Sequence, residues 1–117
     1  MLFRSIAAQI AKETRQSSAI KIVAKEGSRT IGRAYLFLIV NHLHEQPYGL
    51  LEDVFVDEQY RGQGIGAQLV RAAVEEAKAR GCYKLIATSR NSRPKVHELY
   101  ERLGLQKYGA AFRMDLI

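Results

Sequence analysis

Residues 49–66 constrain this chain more than any other stretch. Gly49-Leu-Leu-Glu-Asp-Val-Phe-Val56 reads as a strand, Tyr60-Arg-Gly-Gln-Gly-Ile-Gly66 as a glycine-punctuated loop, and the residues that follow as an amphipathic helix. In the helix, Ile65, Leu69, Ala73 and Ala77 form one row with Val70 and Val74 beside it. A strand that turns through glycines into a helix leaves the first backbone N–H groups without partners, at the positive end of the helix dipole. Such a junction is a seat for phosphates. Glycine permits the required dihedrals and a close approach of ligand to backbone, and Arg61 can add a guanidinium. The predicted seat comprises Arg61, Gly62, Gln63, Gly64, Ile65, Gly66 and Ala67. The same pattern also suits a tight turn with no ligand. A Walker loop is excluded because no Lys-Ser/Thr pair follows Gly66, and a dinucleotide fingerprint because the spacing is Gly-x-Gly-x-Gly.

The rest of the chain organises around this junction. With 117 residues the chain suits one compact domain, residues 1–117. The coarse pattern predicts a helix over 3–14, strands over 19–25 and 30–41 joined by a turn at Glu26–Arg29, and a strand over 50–56. A loop over 57–63, a helix over 64–80 capped by Gly81, and a strand over 83–88 follow. A helix from Pro94 to Gly104 and a last strand over 107–115 complete a mixed α/β order on one sheet. No apolar run is long enough to cross a bilayer. Glu13 and the brevity of the basic N-terminal stretch argue against an organelle transit peptide; Leu2, Phe3, Ile6 and Ile10 instead share a helical face suited to packing on the sheet.

A single cysteine, Cys82, fits a reducing compartment and hence the cytoplasm, and suits a small buried residue better than a catalytic thiol. His42 and His44 sit two apart, but too few further ligands accompany them for a metal site, so no metal is expected. Net charge is +6, unevenly distributed. Residues 34–60 hold five acids and no Lys or Arg, whereas 61–113 hold eleven basic residues against four acids. A polyanionic cofactor on one side and a cationic amine on the other account for the asymmetry; unplanned surface charge is the alternative. Nucleic-acid binding lacks a recognition motif and a stacking platform, and no membrane partner is expected.

Val56-Asp-Glu-Gln-Tyr-Arg-Gly-Gln-Gly-Ile-Gly66 resembles the pyrophosphate loop of the GNAT superfamily of acyl-CoA-dependent N-acetyltransferases. Two later segments extend the resemblance over residues 50–113: Gly81–Ser89 as the next strand, and Arg93–Gly104, ending Leu-Tyr-Glu-Arg-Leu-Gly, as the later helix. Thr88-Ser89 with Arg93, His97 and Tyr100 resembles a subgroup that includes small-molecule amine acetylases.

The resemblance implies a GNAT-type fold: a central mixed sheet with splayed middle strands, flanked by helices, and here a shortened N-terminal region. It implies acetyl-CoA as co-substrate and direct transfer of the acetyl group to a primary amine in a ternary complex. The amine would belong to a small molecule or a protein. The pantetheine arm would pair with the strand edge at Val54, Phe55 and Val56, and a strand N–H near Phe55 or Val56 would stabilise the carbonyl oxygen. A lysine-like amine is neutral in only about one molecule in 10³ at pH 7, so a base is needed. Adjacent strand residues face opposite sides, so only one of Glu52 and Asp53 lines the cleft. Glu52 matches the position used in glucosamine-phosphate acetyltransferases and is preferred as base. Tyr100 occupies the family's general-acid position, serving the thiolate that leaves.

Two departures matter. Arg93 stands where many members carry Asn, and it would contact cofactor, an anionic substrate group or solvent. At most one helix precedes the hairpin where the family usually has a strand and two helices, so the substrate site is expected to be either open or completed by a second subunit, and a homodimer is expected. A cofactor-binding module without catalysis remains the alternative function.

Overall fold

The computed structural model describes residues 8–12, 17–41 and 43–117. Four strands form one sheet in the order β1 (Ser18–Glu26), β2 (Arg29–Ile39), β3 (Tyr48–Val56) and β4 (Leu85–Ala87). The first three are antiparallel neighbours and β4 runs parallel to β3, so the sheet is mixed. The long helix α1 (Ile65–Ala79) crosses between β3 and β4, and α2 (Pro94–Arg102) follows β4.

Alternation builds the sheet. In β2, Ala34, Leu36 and Leu38 are buried on one face, while Arg33, Tyr35 and Phe37 lie on the other and are only partly covered. The β1–β2 turn is tight because Gly27 adopts φ +60°. α1 lies on the buried face through Ala67, Leu69, Val70, Ala73 and Ala77, which recur at helical spacing. Its small alanine row lets helix and sheet approach closely. Gly49 is part of that contact: a Cβ there would stand 2.9 Å from Leu85 Cδ1 and 3.1 Å from Leu36 Cδ1.

Both helices end in the same way. Gly81 and Gly104 are left-handed, with φ +73° and +100°. The N–H groups of Cys82 and Leu105 bond back to the carbonyls of Ala77 and Tyr100, and those of Gly81 and Gly104 to Lys78 and Glu101. These are Schellman closures, which satisfy carbonyls that the helix leaves free.

Several expectations need correction. Of the N-terminal helix expected over 3–14, Ala8–Lys12 is neither helical nor buried, and the rest lies outside the described residues. Ile10 is 86% exposed, and a helix this short gains stability only by packing an apolar face. The strand expected over 83–88 pairs only at Leu85–Ala87. The last strand expected over 107–115 does not form; residues 105–117 carry no regular structure. A strand requires a neighbour to bond with, and β4 offers only three residues.

Candidate active site

The site grows from the end of β3. Opposite β3, Tyr35 pairs with Glu52 and Arg33 with Phe55, so Asp53 and Val54 together face Ala34. This is a β-bulge. Asp53 absorbs it with φ +52°, the one non-glycine residue in the left-handed region among those described. The bulge shifts the alternation: Leu51, Val54 and Val56 face α1, whereas Glu52 and Phe55 face away. The bulge breaks the simple alternation expected to set Glu52 and Asp53 on opposite faces, and both are exposed. A shallow concavity of about 450 Å³ is lined by Asp53 together with Lys21, Arg33, Tyr35 and Phe37; Glu52 is not among its lining residues.

On the far side of β3, pairing with β4 stops after Leu51↔Ala87. Among the described residues, Glu52–Val56 thus has β2 on one edge and no strand on the other. The strands part where the loop and the N-terminus of α1 meet them, and Val54, Phe55 and Val56 present a free edge to the gap.

Beyond β3 the chain makes a single 3₁₀ turn at Glu58–Tyr60, then the loop. Gly62 and Gly64 hold φ +81° and +82°, so the loop backbone itself demands glycine at both. Gly66 differs. Its φ is ordinary and the nearest atom to an added Cβ is Val56 Cγ2 at 3.9 Å. Neither backbone nor packing requires glycine there.

Gly64 caps α1 but has no side chain with which to bond the helix N–H groups. The first intrahelical bond is Gln68 N–H to Gly64 carbonyl, at 3.1 Å. Among the described residues, no backbone carbonyl accepts from any N–H between Gly62 and Ala67. A run of unpaired donors at a helix start, with the dipole behind it, is an anion seat.

Arg61 is positioned rather than free. Its Nε donates to the Val56 carbonyl at 2.9 Å, tying the loop to the strand end. Its guanidinium lies 5.4 Å from the Phe55 ring centroid, and that of Arg33 lies 4.9 Å from the same ring. Phe55 therefore carries two cations, a cation–π arrangement that holds positive charge beside the loop.

Tyr100 is half-buried on α2 and packs against the cluster of Leu51, Leu69, Val70 and Ala73. Burial pushes its phenol pKa above the ordinary 10.0, because desolvation penalises the phenolate. Arg93 is exposed at the N-cap of α2, and no hydrogen bond or ion pair of its side chain is formed among the described residues. His97 has a structural contact that the spacing alone did not show: its Nε2 lies 2.9 Å from the Arg90 carbonyl, pinning the loop before α2. His44 stacks on Tyr83 with centroids 3.9 Å apart, and His42 lies outside the described residues. Among the described residues, no group of three metal-ligating side chains exists. Cys82 packs against Leu36, Leu38 and Ala77, and burial raises its thiol pKa, so a thiolate is disfavoured.

The residues that the sequence failed to single out are Phe55 as a cation platform and Arg33 and Lys21 as concavity walls. Only strand pairing brings Arg33 opposite Phe55. No described helix is long and apolar enough to cross a membrane.

Known proteins resemble this chain in sequence and fold. Residues 3–105 match the model of the "Acetyltransferase (GNAT) family". The chain is 40% identical over 68 residues to glucosamine 6-phosphate N-acetyltransferase of Trypanosoma brucei brucei, a match covering 58% of this chain and 44% of that one. It is 34% identical over 82 residues to thialysine N-epsilon-acetyltransferase of Mus musculus, covering 69% and 47% respectively. These matches span less than half the length of those relatives. A solved acetyltransferase of Trypanosoma brucei superposes with a TM-score of 0.73 at 31% identity, over 84% of this chain and 69% of its own. The unpaired loop amides, the parted strands and the family match over residues 3–105 lead to one statement: this chain belongs to the GNAT family of acetyltransferases.

Proposed function

We propose that the chain transfers an acetyl group from acetyl-CoA to a primary amine, directly, in a ternary complex. The observation that carries this reading is the run of unpaired amides from Gly62 to Ala67 beside the free edge of β3. The diphosphate of coenzyme A sits on those amides, with the Arg61 guanidinium adding charge. The pantetheine arm adds to the edge of Val54, Phe55 and Val56 as an extra strand would. That edge points the thioester toward the bulge, where a strand N–H near Phe55 or Val56 meets the carbonyl oxygen as charge develops on it.

Glu52 acts as base, directly or through water, and Asp53 is its rival because it lines the concavity. Tyr100 protonates the leaving thiolate; with its pKa above 10.0 the phenol carries its proton at neutral pH. Arg93, exposed beside this region, is assigned to the cofactor arm or to an anionic group of the acceptor. Lys21 and Arg33 beside Asp53 suit an acceptor bearing both an amine and an anionic group. Glucosamine 6-phosphate and thialysine, named for the relatives, both have that character. The chain works in the cytoplasm without metal. The alternative, a module that binds acetyl-CoA without turnover, is favoured by the openness of the acceptor side: Glu52 and Asp53 are both exposed.

Thiol release from acetyl-CoA, measured over polyamines, amino sugars, sugar phosphates bearing an amine, and peptides, tests the proposal. Turnover is expected with an acceptor bearing both charges. Tyr100→Phe should lower kcat more than cofactor affinity, and Glu52→Gln should lower kcat more than Asp53→Asn does. Binding of acetyl-CoA with no turnover on any acceptor would select the non-catalytic module.

A further inference from the structure

Phe55 faces outward only because of the bulge. Counting by twos from the buried Leu51, strict alternation would carry residue 55 to the face that α1 covers. The extra residue absorbed at Asp53, with φ +52°, turns Phe55 to the opposite face, where it is 39% exposed. A non-glycine residue held in the left-handed region is strained, and such strain persists only where the surrounding structure fixes it. Here the strained bulge sets the position of one aromatic ring.

Two guanidiniums converge on that ring. Arg33 stands directly opposite Phe55 on β2, so the two side chains leave the sheet as cross-strand neighbours. The Arg33 guanidinium lies 4.9 Å from the ring centroid and that of Arg61 lies 5.4 Å away, both within cation–π reach. Like charges beside one ring repel each other, and among the described residues neither forms an ion pair with a carboxylate. The two arginines belong to different surroundings. Arg61 is tied by its Nε to the Val56 carbonyl at 2.9 Å, at the entrance to the glycine loop. Arg33 is held by the ring and by its place on β2, and it lines the concavity with Lys21 and Asp53. One ring therefore joins a cation of the loop to a cation of the concavity.

Building on the acetyl transfer proposed above, on which this reading rests, we propose that Phe55 is a positioning residue for both substrates. Its ring presents Arg61 to the diphosphate of the cofactor and Arg33 to an anionic group of the acceptor. Affinity for anions on both sides of the reaction then depends on an uncharged side chain. The dependence is modest for each ligand, about two- to fivefold, because partly exposed cation–π contacts are weak. It falls on two different ligands at once, which separates it from a contact within either site.

NMR titration of the full chain, following arginine Nε–H and backbone amide signals, tests the proposal. Coenzyme A should move the Arg61 signal. Inorganic phosphate, added with coenzyme A already saturating, should move that of Arg33. Phe55→Leu keeps an apolar side chain at a partly exposed position and should fold. It should weaken coenzyme A and phosphate about two- to fivefold each, while pantetheine, which lacks the diphosphate, should lose less. Phe55→Tyr keeps the ring and should hold both affinities within about twofold of the wild type. Undiminished affinity for coenzyme A or for phosphate in Phe55→Leu overturns the proposal. So does a loss for pantetheine equal to that for coenzyme A, or a Phe55→Tyr variant as weak as Phe55→Leu, since either marks a packing role. Phosphate that leaves the wild-type Arg33 signal unmoved overturns it as well. A wild-type chain that does not bind coenzyme A overturns the acetyl-transfer function and this proposal together, whereas normal wild-type binding with no loss in Phe55→Leu overturns this proposal alone.

Discussion

Gly62, Gly64 and Gly66 look equivalent in sequence and differ in the folded chain. The first two occupy φ +81° and +82°, where a Cβ costs roughly 1–2 kcal/mol. Gly62→Ala or Gly64→Ala should therefore lower the unfolding free energy, read from urea titration, by that amount. Gly66 lies in the first turn of α1, where an added Cβ would make only an ordinary contact with Val56 Cγ2, at 3.9 Å. Gly66→Ala should raise stability by about 0.4–1 kcal/mol through helix propensity and reduced unfolded-state freedom. Yet on the proposed function it should weaken coenzyme A binding, because the added methyl limits how closely a ligand can approach the loop backbone. Urea titration with and without coenzyme A separates the two effects. Tyr100 gives a prediction in pH. Its folded pKa lies above the ordinary 10.0, so the neutral phenol is the form that folding favours. Its contribution is complete below pH 10.0 and is lost as pH rises through the folded pKa. Tyr100→Phe should flatten the alkaline fall in stability, read from thermal melts across that range.

Among elements, β3, β4 and α1 meet closely at Gly49. Gly49 lies between Leu85, Leu36 and Ala77, with less than a methyl group's room. Gly49→Ala should destabilise by about 1–3 kcal/mol, since the neighbours are core side chains rather than flexible tips. Because Gly49 also donates to the Lys84 carbonyl and begins the β3–β4 pairing, the loss should appear first as faster amide exchange in β4. The bulge at Asp53 is the other element-level feature. Asp53→Gly relieves the left-handed strain, so it should stabilise slightly or not at all, while Asp53→Val, β-branched at φ +52°, should destabilise by more than about 1 kcal/mol. Chemical denaturation of the two variants checks this ordering.

For the whole molecule, the proposed function predicts that charge steers the cofactor to its seat. The +6 net charge and the basic stretch from residue 61 onward draw a polyanion. Coenzyme A at a hundred times its Kd should add about 2.7 kcal/mol to stability. That gain should shrink as salt rises and screens charges farther apart than about 10 Å at 0.1 M. A series of melts in coenzyme A and KCl measures both; a salt-independent shift would remove electrostatics from the binding. Leu51→Ala tests the core that carries the site. It removes a fully buried side chain from the cluster under Tyr100 and should cost about 2–5 kcal/mol.

Much was legible in the sequence because it is local. Period-two alternation marked β2, helical spacing marked α1, and Gly81 and Gly104 marked the helix ends, since each is a preference of a few neighbouring residues. The strand–glycine–helix junction was legible for the same reason: amides left free at a helix start depend on the backbone of six residues and little else. What the tertiary structure alone decided is non-local. The bulge that turns Glu52 and Asp53 to the same solvent, the early end of β3–β4 pairing, and the pairing of Arg33 with Phe55 depend on which strand lies opposite which. So does the fate of residues 107–115. Their alternation states that they are fit to be a strand, but hydrogen bonding in a sheet needs a second chain segment, and no pattern within the tail specifies where that segment is.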